Sequence, residues 1–215
     1  MAAEYENLIN SLIKDGFLVR PEITEAFRAI DRADFVPDEF KAEAYLNVPL
    51  SIGFEQTISQ PLTVAFMIEL LEPKIGEKIL EIGSGSGWQT AILSRIVSHN
   101  GASALGKIIG LERVDELKEF AEKNIGKYGF IGKEVAKIIK SDGSKGFKEE
   151  APFDRIIAGA ASKGDVPEIW KKQLKIGGRI VAPVNQSVFV IDKIGKNKYN
   201  KKEYFGFSFV PLVKG

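Results

Sequence analysis

The hydrophobic pattern divides the chain near residue 60. Leu8, Ile9, Leu12 and Ile13 recur at helical spacing and stop at Gly16, which predicts an amphipathic helix with a glycine stop. Ile23, Ala26, Phe27 and Ile30 mark one face of a second helix over 21–33, with Pro21 in the first turn, where its missing N–H is not needed. The stretch 44–60 then shows no period. It is rich in turn-formers yet holds Tyr45, Leu50, Ile52, Phe54 and Ile58, so an ordered, packed loop is expected there; irregular segments of that length are usually functional or disordered.

From residue 61 the pattern becomes regular. It predicts helix over 62–71, strand over 78–82, helix over 88–97, strand over 107–111, helix over 114–128, strands over 135–140 and 153–158, a short helix over 166–174, and strands over 179–184, 188–194 and 204–212. Apolar strands alternating with helices predict an α/β fold, a doubly wound and mostly parallel sheet with helices on both faces. The last two strands are expected to form an antiparallel hairpin across a solvated loop carrying Lys196, Lys198, Lys201 and Lys202. The chain reads as one domain over 1–215, with 1–60 as an N-terminal helical and loop region and 61–215 as the core.

Composition narrows the chemistry. The 215 residues carry 30 Lys and Arg against 29 Asp and Glu, no Cys, and a single histidine, His99. Disulfides, a thiol nucleophile and cysteine-ligated zinc are excluded, and so is a histidine-rich metal site, so no metal is expected. The near-zero charge argues against broad binding to nucleic acid. No apolar run approaches the ~20 residues of a membrane helix, and the start, with Glu4 and Glu6, does not read as a secretory signal. A cytoplasmic, monomeric protein is the expectation.

The sharpest local signal is Glu81-Ile82-Gly83-Ser84-Gly85-Ser86-Gly87, between an apolar strand and a helix. Glycines there let the backbone turn tightly and approach a ligand, and the helix start offers N–H groups to its anionic part. A dinucleotide fingerprint needs a glycine where Trp88 stands, so that match fails. The segment 101–107 nearly spells a P-loop, but Ile108 replaces the Ser or Thr and a strand follows. Glu112 ends the next strand, where a carboxylate can accept ribose hydroxyls. It lies far from Gly87 because 98–106, around His99, reads as a loop insertion. Asp142-Gly143 ends the third strand, where an Asp can accept from an adenine amino group. The second signal is Gln56-Thr57-Ile58-Ser59-Gln60-Pro61 at the end of the irregular stretch; by local physics Ser59 is also a helix-cap candidate.

The G-x-G-x-G turn resembles motif I of the S-adenosylmethionine-dependent methyltransferases with a Rossmann-like fold. Phe35-Val36-Pro37, Ala44-Tyr45, Pro49 to Gly53, Gln56 to Pro61, Glu81 to Gly87, Phe153-Asp154 with Ala160-Ala161, Leu174 with Gly177-Gly178-Arg179, and Phe209 to Leu212 occur in the order seen in protein-L-isoaspartate O-methyltransferases, over nearly the whole chain. The Thr-Ile-Ser-Gln-Pro segment is the discriminating one. The resemblance implies methyl transfer from S-adenosylmethionine to the free carboxylate of L-isoaspartyl residues in damaged proteins and peptides, which starts repair through a succinimide. It implies Ser59 as the active-site serine, with Thr57, Ile58, Gln60 and Val210 on the substrate side. Gly83, Gly85 and Gly87 would form the methionine-binding turn, with Glu81 bracing the loop or facing the ammonium. Glu112 would hold the ribose, and Asp142-Gly143 the adenine side.

Three positions depart from that family's pattern. Glu55 stands where a glycine is common, Leu46-Asn47 where aspartate follows Ala-Tyr, and the loop around His99 is longer. Other readings stay open on sequence alone: a carboxyl methyltransferase for a different peptide, a catalytically silent donor- or peptide-binding module, and, more distantly, a nicotinamide oxidoreductase.

Overall fold

The computed structural model describes residues 2–99 and 106–213. Most of the insertion predicted at 98–106, and of the near-P-loop at 101–107, lies outside the described residues. Two helices open the chain, α1 (Ala2–Lys14) and α2 (Pro21–Ala29). A small hairpin follows, β1 (Leu50–Gly53) and β2 (Gln56–Ile58), and then α3 (Pro61–Leu71). The regular part runs β3 (Lys78–Ile82), α4 (Trp88–Val97), β4 (Lys107–Glu112), α5 (Asp115–Gly126), β5 (Ala136–Lys140), β6 (Phe153–Ala158), α6 (Glu168–Gln173), β7 (Leu174–Val184), β8 (Ser187–Gly195) and β9 (Lys198–Phe205).

The seven strands of the main sheet are ordered β5-β4-β3-β6-β7-β8-β9. The first five in that order are parallel, and β8 and β9 are antiparallel to their neighbours. The doubly wound sheet and its terminal hairpin are as the pattern predicts. From β3 the chain moves outward to β4 and β5, then returns to place β6 on the other side of β3. That reversal opens a crevice at the carboxyl ends of β3 and β6.

Side-chain alternation decides what each face of the sheet holds. Leu80 and Ile82 of β3 join Ile109, Leu111, Ile156 and Trp170 in the core under α6. Ile79 faces the opposite core, built from α1 to α5 with Ile9, Phe27, Ile68, Ile92 and Ile125. Glu81 shares the parity of Ile79, so a carboxylate is carried into an apolar layer next to α4.

Four places differ from the pattern's prediction by more than two residues. Helix α2 stops at Ala29: Ile30 is extended, and the Asp31 side chain accepts from the Ala33 N–H at 2.9 Å to start a separate 3-10 turn, Arg32–Phe35. The stretch 44–60 contains the β1–β2 hairpin. Strand β7 begins at Leu174, well before Arg179. The last strand is Lys198–Phe205, so Lys198, Lys201 and Lys202 lie on an edge strand and only Lys196-Asn197 turns the hairpin. Beyond it Gly206, at φ +102°, swings the chain off the sheet. Phe207 then stacks on Phe66 at 4.9 Å, and Val210 reaches Ala161.

The β1–β2 turn is formed by Phe54 (φ +54°) and Glu55 (φ +57°), two left-handed residues without glycine. Both are exposed, so no packing compensates the strain that a Cβ brings there. Glu55→Gly is expected to stabilise the fold by about 0.5–1 kcal/mol, the left-handed penalty less the added entropy of the unfolded glycine. Thermal melts compare the two proteins, and an unchanged or lower midpoint would overturn the assignment.

Candidate active site

One side of the candidate site grows from the turn after β3. Gly83, Gly85 and Gly87 all have positive φ. The Gly83 and Ser84 N–H groups donate to the Leu111 carbonyl at 2.8 and 3.2 Å, which ties the turn to the end of β4. Glu112 completes the tie. One of its oxygens accepts from the Gly85 N–H at 3.0 Å, and the other accepts from the Arg113 and Val114 N–H groups at 2.7 and 3.1 Å. On β4, Gly110 lies directly against Ser84; a Cβ at Gly110 would overlap the Ser84 hydroxyl. The turn therefore needs glycine on the neighbouring strand as well as its own.

Glu81 is fully buried beneath this turn. Its carboxyl accepts from Gln89 Nε2 at 2.9 Å and from the Thr90 hydroxyl, both on the first turn of α4. Burial pushes its pKa up to about 7, with the nearby Glu112 adding to the rise and the two hydrogen bonds opposing it.

The facing side is made by the segment between β2 and α3. Ser59 does not cap α3. The N-cap is Gln60, without a side-chain bond, and the Leu62 N–H is taken by Asn47 Oδ1 at 3.0 Å. The acceptor oxygen after Ala44-Tyr45 is thus kept although the residue is Asn. Ser59 is half-buried, and its hydroxyl donates to no described protein group. It stands on the wall between two chambers. The inner one is lined by Thr57, Ile58, Ser59, Glu81, Gly83, Gly85, Glu112 and Val210 among others. The outer one adds Pro49, Gln60, Thr63, Ser208 and Phe209. A third recess runs from Glu112 past Ser141 and Gly143 to Pro211 and Leu212.

These features are matched by comparison with known proteins. The family model described as protein-L-isoaspartate(D-aspartate) O-methyltransferase matches residues 3–215. The chain belongs to this family. A protein-L-isoaspartate O-methyltransferase of Staphylothermus marinus is 39% identical over 99% of this chain and 97% of its own. The one from Ignicoccus hospitalis is 38% identical over 100% and 99%. A Plasmodium falciparum chain assigned to the same family, crystallised with S-adenosyl-L-homocysteine, superposes with a TM-score of 0.86 at 26% identity, covering 98% of this chain and 99% of that one. The reaction is the isoaspartate methyltransferase reaction, methyl transfer from S-adenosylmethionine to the isoaspartyl carboxylate. Among the described residues no group of three or more His, Cys, Asp or Glu is placed to hold a metal ion, and no helix is long and apolar enough to cross a membrane.

For an isoaspartate methyltransferase the sequence motifs converge well. Thr57, Ile58, Ser59, Glu81, Gly83, Gly85, Glu112 and Val210 share the inner chamber, Gln60 lines the outer one and Gly143 the third recess. Gly87 stands one layer back as the N-cap of α4. Asp142 also stands back: its Oδ1 accepts from the Ser144 N–H at 3.0 Å and its Oδ2 pairs with Lys145 at 3.1 Å, so it shapes the turn that presents Gly143. The buried Trp170 holds that turn from below, donating from Nε1 to the Gly143 carbonyl at 2.9 Å. Arg32, Asn47, Gln89, Thr90 and Trp170 were not legible as site residues. Of these, Asn47 stood where the family's pattern has aspartate after Ala-Tyr, and Gln89 and Thr90 lay on the turn of helix after a glycine motif.

The raised pKa of Glu81 has a consequence for the donor-free protein. The folded carboxyl takes up its proton near pH 7 and the unfolded one near 4.5. Between these values the folded state holds more protons, so stability falls as pH rises from about 4.5 to about 7 and levels off above. Urea unfolding at pH 5, 6, 7 and 8 reads this slope. Glu81→Gln should flatten it, and an unchanged slope would remove Glu81 as its source.

Proposed function

We propose that Ser59 orients the isoaspartyl carboxylate for in-line attack on the donor methyl group. Thr57, Ile58, Gln60 and Val210 form the acceptor wall. Gly83, Gly85 and Gly87, with Glu81 beneath, hold the methionyl part of S-adenosylmethionine, Glu112 its ribose, and the Asp142-Gly143 turn its adenine. The observation that carries this reading is the free hydroxyl of Ser59 on the wall shared by the glycine turn's chamber and the outer chamber. The donor supplies an electrophilic methyl on a sulfonium. The acceptor carboxylate, with an ordinary pKa near ~4, is ionised at neutral pH and needs no general base. The protein's work is then alignment and exclusion of water. The same reading extends to a single-domain, monomeric, cytoplasmic enzyme. A formal charge of +1 suits an enzyme that meets many different damaged proteins.

Neither chamber is lined by a Lys, Arg or His among the described residues, whereas Glu81 and Glu112 both line the inner one. The positive charge that an acceptor carboxylate meets there comes with the donor. An isoaspartyl peptide is therefore expected to bind about tenfold more tightly to the complex with an amine analogue of the donor than to the complex with neutral S-adenosylhomocysteine, a modest share of the ~4 kcal/mol that unit charges about 4 Å apart exchange at a partly shielded site. Calorimetry with both complexes measures this; equal affinities would show that the charge is irrelevant.

Ser59→Ala is expected to leave donor affinity unchanged and to lower methyl transfer to an isoaspartyl peptide by about 10- to 100-fold, the range for losing one orienting hydrogen bond at a reacting group. Labelled-donor assays on the isoaspartyl peptide and its normal aspartyl twin provide the measurement. Unchanged turnover would take Ser59 out of the mechanism, and equal methylation of the twin would refute isoaspartyl selectivity.

A further inference from the structure

Ser59 and Gln60 lie after the last residue of β2 and before the first of α3, so no strand ladder or helix holds the Ser59 peptide. The group that does hold it comes from far back in the sequence. Arg32 is completely buried, and among the described residues its guanidinium has no carboxylate partner. Nη1 donates to the Ala44 and Leu46 carbonyls at 2.7 and 3.2 Å. Nη2 donates to the Val48 carbonyl at 2.9 Å and to the Ser59 carbonyl at 3.1 Å. The guanidinium carbon lies 5.5 Å from the centre of the Trp88 ring, the residue that follows the glycine turn and opens α4. One side chain thus joins the donor helix, the strand-free backbone at 44–48, and the peptide that carries the acceptor-side hydroxyl.

We propose that Arg32 is a positioning residue for methyl transfer, acting through Ser59; the proposal rests on the role given to Ser59 above. The guanidinium fork sets the height of the Ser59 carbonyl relative to Trp88, and with it the place of the Ser59 hydroxyl relative to the donor. Lysine cannot reproduce this. Its ammonium is a single point with three donors, and it cannot span carbonyls lying on both arms of a planar fork. A displacement of the reacting geometry by about 1 Å costs on the order of 100-fold in rate.

A double-mutant cycle tests the proposal, with Arg32→Lys, Ser59→Ala and the double variant assayed on an isoaspartyl peptide. Each is paired with a thermal melt and a calorimetric donor titration. Arg32→Lys is expected to lower kcat by about 10- to 100-fold with donor affinity within about threefold of the parent, since the loss is one of alignment and not of donor contacts. In the Ser59→Ala background the same change should cost no more than about threefold, because the hydroxyl that Arg32 positions is already gone. Equal losses in both backgrounds would show that Arg32 is merely structural, while Ser59 keeps its role. An inert Ser59→Ala would instead refute the Ser59 reading and leave Arg32→Lys with nothing to act through. Arg32→Gln is the second variant; if neither substitution yields a cooperatively melting protein, Arg32 belongs to the scaffold and the proposal fails.

Discussion

A buried guanidinium facing carbonyl oxygens is the constraint on which the front of this molecule depends. Taking a cation out of water costs several kcal/mol even after relaxation, and burial lowers the pKa of Arg32 to about 10, so that it remains protonated at neutral pH. Its compensation is four carbonyl acceptors and an aromatic face. The Nε hydrogen is left without a partner. The arrangement persists because those carbonyls also need a donor. Residues 44–48 and 59 have no ladder of their own; the Leu46 and Val48 side chains are exposed, but their carbonyls turn toward the guanidinium, where each without a donor would be a liability. Cation and carbonyls satisfy each other, and the result is a wall held together without a regular element.

Trp88 connects that wall to the donor side. Its ring lies under Arg32 and edge-on to Phe27 at 5.5 Å, while its Nε1 donates to the Ile30 carbonyl at 3.3 Å. The end of α2, the start of the Arg32 turn and the start of α4 are thereby fixed to one another. The glycine turn just before Trp88 is fixed on its other side by Glu112 and by the close approach of Gly110 to Ser84. Ile52 of the β1–β2 hairpin reaches over Gly85, where it would crowd any added Cβ, so the hairpin lies close against the glycine turn. The N-terminal region is therefore part of the active site's geometry.

The parts legible in the sequence were those with a short-range signature. β3, the glycine turn and α4 announce themselves by an apolar run, three spaced glycines and a helical period. Arg32 did not, because the period of Ile23, Phe27 and Ile30 continues past Ala29 on paper and would put residue 32 on an outer helix face. The chain instead leaves the helix at Ile30, and Asp31 caps a new turn that sends Arg32 inward. The β1–β2 hairpin was hidden because its turn uses Phe54 and Glu55 in place of the Asn-Gly type that left-handed corners favour. The last strand was misplaced because Phe207, Phe209 and Val210 look like a buried strand, whereas β9 is an edge strand whose lysines discourage pairing with a further strand. In each case a long-range contact overruled a local pattern.

The two acids of the inner chamber divide the electrostatic work by environment. Glu112 is surrounded by backbone N–H groups of the loops it joins, a set of fixed donors that leaves its outer lone pairs available for hydroxyls. Glu81 has only an amide and a hydroxyl and is fully buried, and its affinity for a proton rises accordingly. A cleft with two fixed negative charges would repel an anionic acceptor. A cleft in which one acid takes a proton until a cation arrives does so less. The donor carries an ammonium, a sulfonium and a carboxylate, a net charge of about +1; in the proposed binding mode its arrival favours ionisation of Glu81 and brings positive charge to the acceptor. Attack by a carboxylate that enters already ionised needs no histidine, and the single histidine of this chain lies exposed after the end of α4. On the role proposed for Ser59, the chemistry requires a hydroxyl held in one place, and the Arg32 contact with the Ser59 carbonyl is placed to hold it.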